Sequence, residues 1–127
     1  MFEEGRFATL LARSVLGGAE DGLSVTAEDT LWAATLGGAS AMGLDDRIGS
    51  LEPGKDADLA VVSFKAIHQQ PVYDPVRTLI FSSSGGDVLM AMVAGRETYR
   101  DGMFDKIDTE RFLFRLSEIR QKLAGPH

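Results

Sequence analysis

The sequence predicts an α+β arrangement, on three observations. Helical periodicity occupies both ends of the 127 residues, a turn-rich stretch follows Leu44, and short apolar runs of strand length lie between that stretch and the last helix. The chain therefore alternates in character once, from helix to sheet, before closing on a helix.

The first helix is expected over Phe2 to Leu16. Phe2, Phe7, Leu10, Leu11, Ala12 and Val15 recur at amphipathic spacing, and Gly17-Gly18 ends the run. After the loop AEDGLSV, Thr26 is a natural N-cap, with Glu28 and Asp29 in the first turn and Asp29 placed for a capping-box variant. Leu31, Trp32, Ala34 and Leu36 supply the second helix's apolar surface. Gly37-Gly38 is expected to break it, with one more short turn before Gly43.

From Leu44 the segment LDDRIGSLEPGKDAD is dense in turn formers. Pro53-Gly54 matches a type II turn, in which proline presets φ at the second position and glycine accepts positive φ at the third. Strands are expected over Leu59 to Phe64, Thr78 to Phe81, and Leu89 to Val93, the last continuing as Glu97 to Arg100 after a turn at Ala94-Gly95. The uninterrupted LAVV run implies a strand covered on both faces. Asp74-Pro75 reads as a loop, and Ser82 to Asp87 as a polar connection between strands. Asp108 is the expected N-cap of a last helix whose apolar face is Phe112, Leu113, Leu116, Ile119 and Leu123, stopped by Gly125-Pro126.

Composition removes several classes of function. A net charge of −6 and a pI near 4.8 disfavour nucleic-acid binding, which needs clustered cations. The chain has no cysteine, so disulfides and thiolate metal sites are excluded. No run approaches the roughly 18 apolar residues of a membrane span, and MFEEGRF lacks the basic and apolar regions of a signal peptide. A cytoplasmic protein without a membrane partner is the expectation.

The catalytic inventory is thin. His68 and His127 are the only histidines, and neither has the spacing that sets two imidazoles on one metal. His68 is expected to be a solvated loop histidine. Asp45, Asp46, Asp56 and Asp58 cluster near the turn but lack the alternating pattern of a calcium loop. Asp58 is expected to cap or orient that turn through backbone N–H groups. SSSGGD is not a phosphate loop, since it lacks the Gly-Lys-Ser/Thr ending and Asp87 would repel an anion. A self-contained hydrolytic site would have to be built from Asp45, Asp46, Asp58 and His68. No catalytic, cofactor or metal-ligating residue is assigned.

One stretch carries more specific information. ATLGGASAMGLDDRIGSLEPGKDADLAVV, Ala34 to Val62, closely resembles the C-terminal signature of the metal-dependent amidohydrolase superfamily. The matching letters are Ala34, Thr35, Gly38, Ala39, Gly43, Leu44, Ile48, Gly49, Ser50, Leu51, Gly54, Lys55, Ala57, Asp58 and Leu59. Asp74-Pro75, Asp87-Val88 and Val93-Ala94-Gly95-Arg96 fit downstream landmarks. MFEEGRFATLLAR is similar to the helix after the last barrel strand in the aminohydrolase and chlorohydrolase branch, which includes cytosine, guanine and methylthioadenosine deaminases and triazine hydrolases.

The resemblance implies a fragment made of the last helices of a (β/α)8 barrel (residues 1–44), part of the flanking β-sandwich (45–104) and a C-terminal helix (105–127). It implies zinc or iron in a full-length member, held by a His-x-His, two later histidines and an aspartate, all of which would precede Met1. A barrel of this kind takes about 250 residues, so the chain by itself is expected to be inactive. The alternative is a non-enzymatic interaction or assembly module. Uncovered strand edges and helix stripes imply a partner, either the missing barrel portion or a second copy that buries Phe2, Phe7, Leu10, Trp32 or strand edges.

Overall fold

The computed structural model describes residues 2–15 and 25–124. Gly17-Gly18, Gly125-Pro126 and His127 lie outside the described residues. Three helices open the order: α1 (Phe2–Val15), α2 (Ala27–Ala34) and α3 (Leu36–Ala41). The capping box at the start of α2 is complete. Asp29 N–H donates to Thr26 Oγ1 at 3.0 Å, and Thr26 N–H donates to Asp29 Oδ2 at 2.9 Å.

The break between α2 and α3 falls at Thr35, two residues earlier than the glycine pair predicted, and Gly37-Gly38 lies inside α3. Thr35 leaves helical geometry (φ −123°, ψ −102°) while its hydroxyl donates to Leu31 O at 2.7 Å. The glycines answer a packing need instead. A Cβ at Gly37 would stand 2.6 Å from the Trp32 ring.

Thr78 to Phe81, expected as a strand, belongs to helix α4 (Pro75–Phe81). Asp74 is its N-cap, with Oδ1 accepting from Val76 N–H at 2.9 Å and Arg77 N–H at 3.1 Å, and Pro75 takes the first helical position. That is where proline's missing N–H is harmless. α1, α2 and α4 pack together. Between α1 and α2 the buried Thr9 and Thr30 hydroxyls meet at 2.6 Å. Arg6 of α1 donates from Nε to Ile80 O at 3.1 Å and from Nη2 to Ser83 O at 2.7 Å.

The sheet is antiparallel, in the order β1 (Leu59–Val62), β2 (Val88–Val93), β3 (Arg96–Arg100) and β4 (Met103–Phe104). β1 ends two residues short of the predicted Phe64, and β4 was not anticipated. The β2–β3 connection, Ala94-Gly95, and the β3–β4 connection, Asp101-Gly102, have positive φ at both residues. Two-residue hairpins favour this because its twist matches that of the strands. β1 is not covered on both faces among the described residues: Ala60 and Val61 are exposed.

The last helix, α5 (Thr109–Ala124), begins where expected, with Asp108 Oδ1 accepting from Arg111 N–H at 3.0 Å. It buries no residue and, among the described residues, makes no extended contact with another element. Among the described residues the buried apolar set is only Ala27, Ala39 and Ile80.

Candidate functional site

The signature loop folds around one cation. Lys55, whose side chain is 13% exposed, donates from Nζ to Asp45 O and to Ser50 Oγ, both at 2.6 Å. Ser50 passes a hydrogen bond to Glu52 Oε1 at 2.5 Å. That hydroxyl, followed by the Lys55 charge, holds the Glu52 carboxyl below the usual range. Lys55 N–H closes the Pro53-Gly54 turn on Glu52 O at 3.2 Å, and Gly54 has φ +95°, as a type II turn requires. Arg47 and Asp56 tie the two ends of the loop, through a 2.8 Å ion pair and Asp56 N–H donating to Arg47 O at 2.8 Å.

Gly49 seats this loop on α3. Its φ is +90°, and a Cβ there would fall 2.7 Å from Ala39 Cβ and 2.9 Å from Leu36 Cα. Asp58, expected to cap or orient its own turn, instead reaches a distant hairpin. Oδ1 accepts from Ala94 N–H at 2.6 Å, while Gly95 N–H donates to Ala57 O at 3.1 Å. Ala57-Asp58 therefore grips the tip of the β2–β3 hairpin, whose positive-φ turn leaves those N–H groups pointing outward.

A second polar cluster sits below α4. Asp87, 7% exposed, accepts from Ser84 N–H at 2.8 Å and Ser84 Oγ at 3.1 Å, and meets His68 Nε2 at 3.1 Å. The Ser84 N–H, then His68, hold its carboxyl below the ordinary aspartate range. His68 is thus half-exposed but partnered, on a short 3-10 turn (Ile67–Gln69) rather than a free loop. Buried Gln69 donates from Nε2 to Ser63 O at 2.8 Å and to Ser83 Oγ at 2.9 Å. Ser82 to Asp87 links α4 to β2 instead of joining two strands. Spacing alone could have found the Ser84–Asp87 pair, since Ser-x-x-Asp is a capping-box pattern.

Asp45, Asp46, Asp56, Asp58 and His68 do not converge. Among the described residues no group of three or more His, Cys, Asp or Glu side chains could hold a metal ion. The residues present do not fit such an ion, and the polar side chains serve backbone and hairpin instead. Two of the hollows on the surface are open and largely apolar. One of about 640 Å³ lies over the sheet, lined by Val88, Ala91, Tyr99, Phe104 and Ile107, with the 2.6 Å Arg96–Asp105 ion pair alongside. The other, about 460 Å³, is lined by Phe2, Leu31, Met42, Ile48, Leu51 and Leu59. No helix of the described residues is long and apolar enough to cross a membrane.

The sequence and the fold have counterparts in known proteins. The profile of the amidohydrolase family matches residues 1–98. A 5-methylthioadenosine/S-adenosylhomocysteine deaminase of Teredinibacter turnerae is 32% identical over 98% of this chain and 28% of its own length. Its counterpart from Desulfovibrio desulfuricans is 38% identical over 94% of this chain and 26% of the relative. Among solved structures, a zinc-bound adenosine deaminase from Xanthomonas campestris superposes with a TM-score of 0.86 at 35% identity. That match covers 98% of this chain and 28% of the deaminase. The zinc-bound atrazine chlorohydrolase from Arthrobacter aurescens superposes at 0.81 with 25% identity, over 93% of this chain and 26% of that one. The chain spans about a quarter of the length of these relatives.

Proposed function

The chain belongs to the amidohydrolase family, and from that premise we propose that it is the closing portion of a metal-dependent deaminase or chlorohydrolase, inactive without the remainder. The reaction is hydrolytic displacement of an amino group or chloride from a purine, pyrimidine or triazine-like ring. The reading divides the chain into closing barrel helices over 1–44, part of a β-sandwich over 45–104 and a terminal helix over 105–127.

One observation carries it. The chain superposes over 98% of its length on a deaminase of which it spans 28%, yet by itself it buries three apolar residues among those described. A self-sufficient domain of this size hides far more. In this reading the polar work of Lys55 and Asp58 is positioning: they hold the crossing from helices to sheet. Ligands for zinc or iron come from polypeptide beyond these residues. A second reading, an interaction module without chemistry, is favoured by α5, which buries nothing.

A graft decides. The matching 28% of the Xanthomonas campestris adenosine deaminase is replaced by this chain, and ammonia release from adenosine is measured beside that of the 127-residue chain. The graft is expected to turn over and the chain alone to release none. Turnover by the chain alone, or an inert but folded graft, overturns the reading.

A further inference from the structure

α1 is pinned along one face, and its three pins differ in reach. Arg6, Thr9 and Arg13 follow the spacing of three and four that aligns side chains on one side of a helix. Thr9, fully buried, meets Thr30 of α2 at 2.6 Å. Arg13 donates from Nε to Val25 O at 2.9 Å, and its guanidinium lies 5.4 Å from the centre of the Phe81 ring. These two keep α1 against α2 and α4. Arg6 reaches further. Its Nε satisfies Ile80 O, one of the carbonyls that α4 leaves open at its end, and its Nη2 donates to Ser83 O, beyond the helix.

Ser83 is where helices and sheet are joined. It is fully buried, and its Oγ donates to Thr78 O at 3.2 Å while accepting from Gln69 Nε2 at 2.9 Å. The same Gln69 nitrogen donates to Ser63 O at 2.8 Å, one residue past β1. Ser63 N–H in turn donates to Asp87 O at 2.8 Å, one residue before β2. A path of bonded groups therefore runs from the second turn of α1 to the ends of two neighbouring strands, all of it internal to the chain. Its first link is a guanidinium fork, two donors in one rigid plane meeting two carbonyls at once. The single nitrogen of a lysine ammonium cannot copy that.

We propose that Arg6 is a positioning residue for the hydrolysis: it fixes the opening turns of α1 against the α4–β2 connection and so sets where that helix begins. The proposal rests on the reading of residues 1–44 as closing barrel helices. In a (β/α)8 barrel the reacting groups sit at the face where strands pass into helices, so the first turn of a barrel helix borders them. A misplacement of about 1 Å that reaches this face costs about a hundred-fold in rate. Thr9 and Arg13, further along α1, keep the helix packed without fixing its first turn.

The test uses the graft of this chain into the Xanthomonas campestris adenosine deaminase, with kcat and KM for adenosine measured separately. Arg6→Lys should lower kcat about ten-fold with KM unchanged, and far-UV circular dichroism should remain that of the parent graft. Arg6→Ala should lose about a hundred-fold in kcat. Millimolar guanidinium should restore part of that loss, where equal sodium chloride does not. Thr9→Val is the control: it removes a buried hydrogen bond and should lower the thermal midpoint while leaving kcat in place. The proposal is overturned if both Arg6 variants keep the parent kcat, if kcat falls only in step with the folded fraction, or if guanidinium and sodium chloride act alike. An inert parent graft defeats the proposed function and this inference with it. A working graft indifferent to Arg6 defeats the inference alone.

Discussion

The loop from Leu44 to Asp58 and helix α5 are of similar length and opposite construction. In the loop, Lys55, Ser50, Glu52, Arg47 and Asp56 satisfy one another and the backbone they surround. In α5 the backbone satisfies itself as any helix does, and the side chains wait for something else. The irregular segment is therefore the self-contained one, and the regular element is the dependent one. Polar pins close a turn locally, whereas an apolar stripe has value only against a second surface.

Variants can break or sharpen that contrast. The largest effect is expected at Gly49. Valine there meets both positive φ and backbone of α3 inside van der Waals distance, so chemical denaturation should show a loss of about 3 kcal/mol or more. Lys55→Met leaves Asp45 O and Ser50 Oγ without their donor, at about 1–3 kcal/mol in the same measurement. Gly54→Val, at φ +95° with open space around it, suffers strain alone, about 1–2 kcal/mol. Phe114→Ser, on the face of α5 away from Phe112, Leu116 and Ile119, should move the midpoint by less than about 0.5 kcal/mol. A loss at Phe114 matching that at Lys55 would erase the distinction between the two regions.

The polar cluster below α4 supplies a pH test of the same kind. Asp87's folded pKa is depressed, so its contribution is present above the unfolded aspartate value of about 3.9 and disappears as pH falls through the folded value. Asp87→Asn should lower the thermal midpoint at neutral pH. The gap to the parent should close in acid. A gap that stays constant from neutral to acid pH would show that the carboxylate's charge contributes nothing.

What could be read from the sequence divides along the same line. Thr26 with Asp29, Asp108 ahead of α5 and the Pro53-Gly54 turn are decided within four residues, and the structure agrees. Asp74-Pro75 is equally local and reads as a loop by its turn formers, yet an Asp N-cap with proline next starts a helix. The short run Leu79-Ile80-Phe81 could not arbitrate, because three apolar residues fit either period. Asp58 was beyond local reading. Its partner is Ala94 N–H, 36 residues later, and no spacing rule connects a turn to the tip of a distant hairpin. That the described residues bury only three apolar side chains could not be read from composition, which suits a globular domain.

The grip of Arg6 on Ile80 O and Ser83 O spans 74 and 77 residues, which makes it a clock as well as a bond. Hairpins such as β2–β3 close over a few residues and need only microseconds. Arg6 must instead wait until Ser83 has been made, roughly 4 to 15 s at translation rates of about 5–20 residues per second. Throughout that interval α1 has no α4 beneath it. Until then the contact that α1 can already make is with α2, through Thr9 and Thr30, only 21 residues apart.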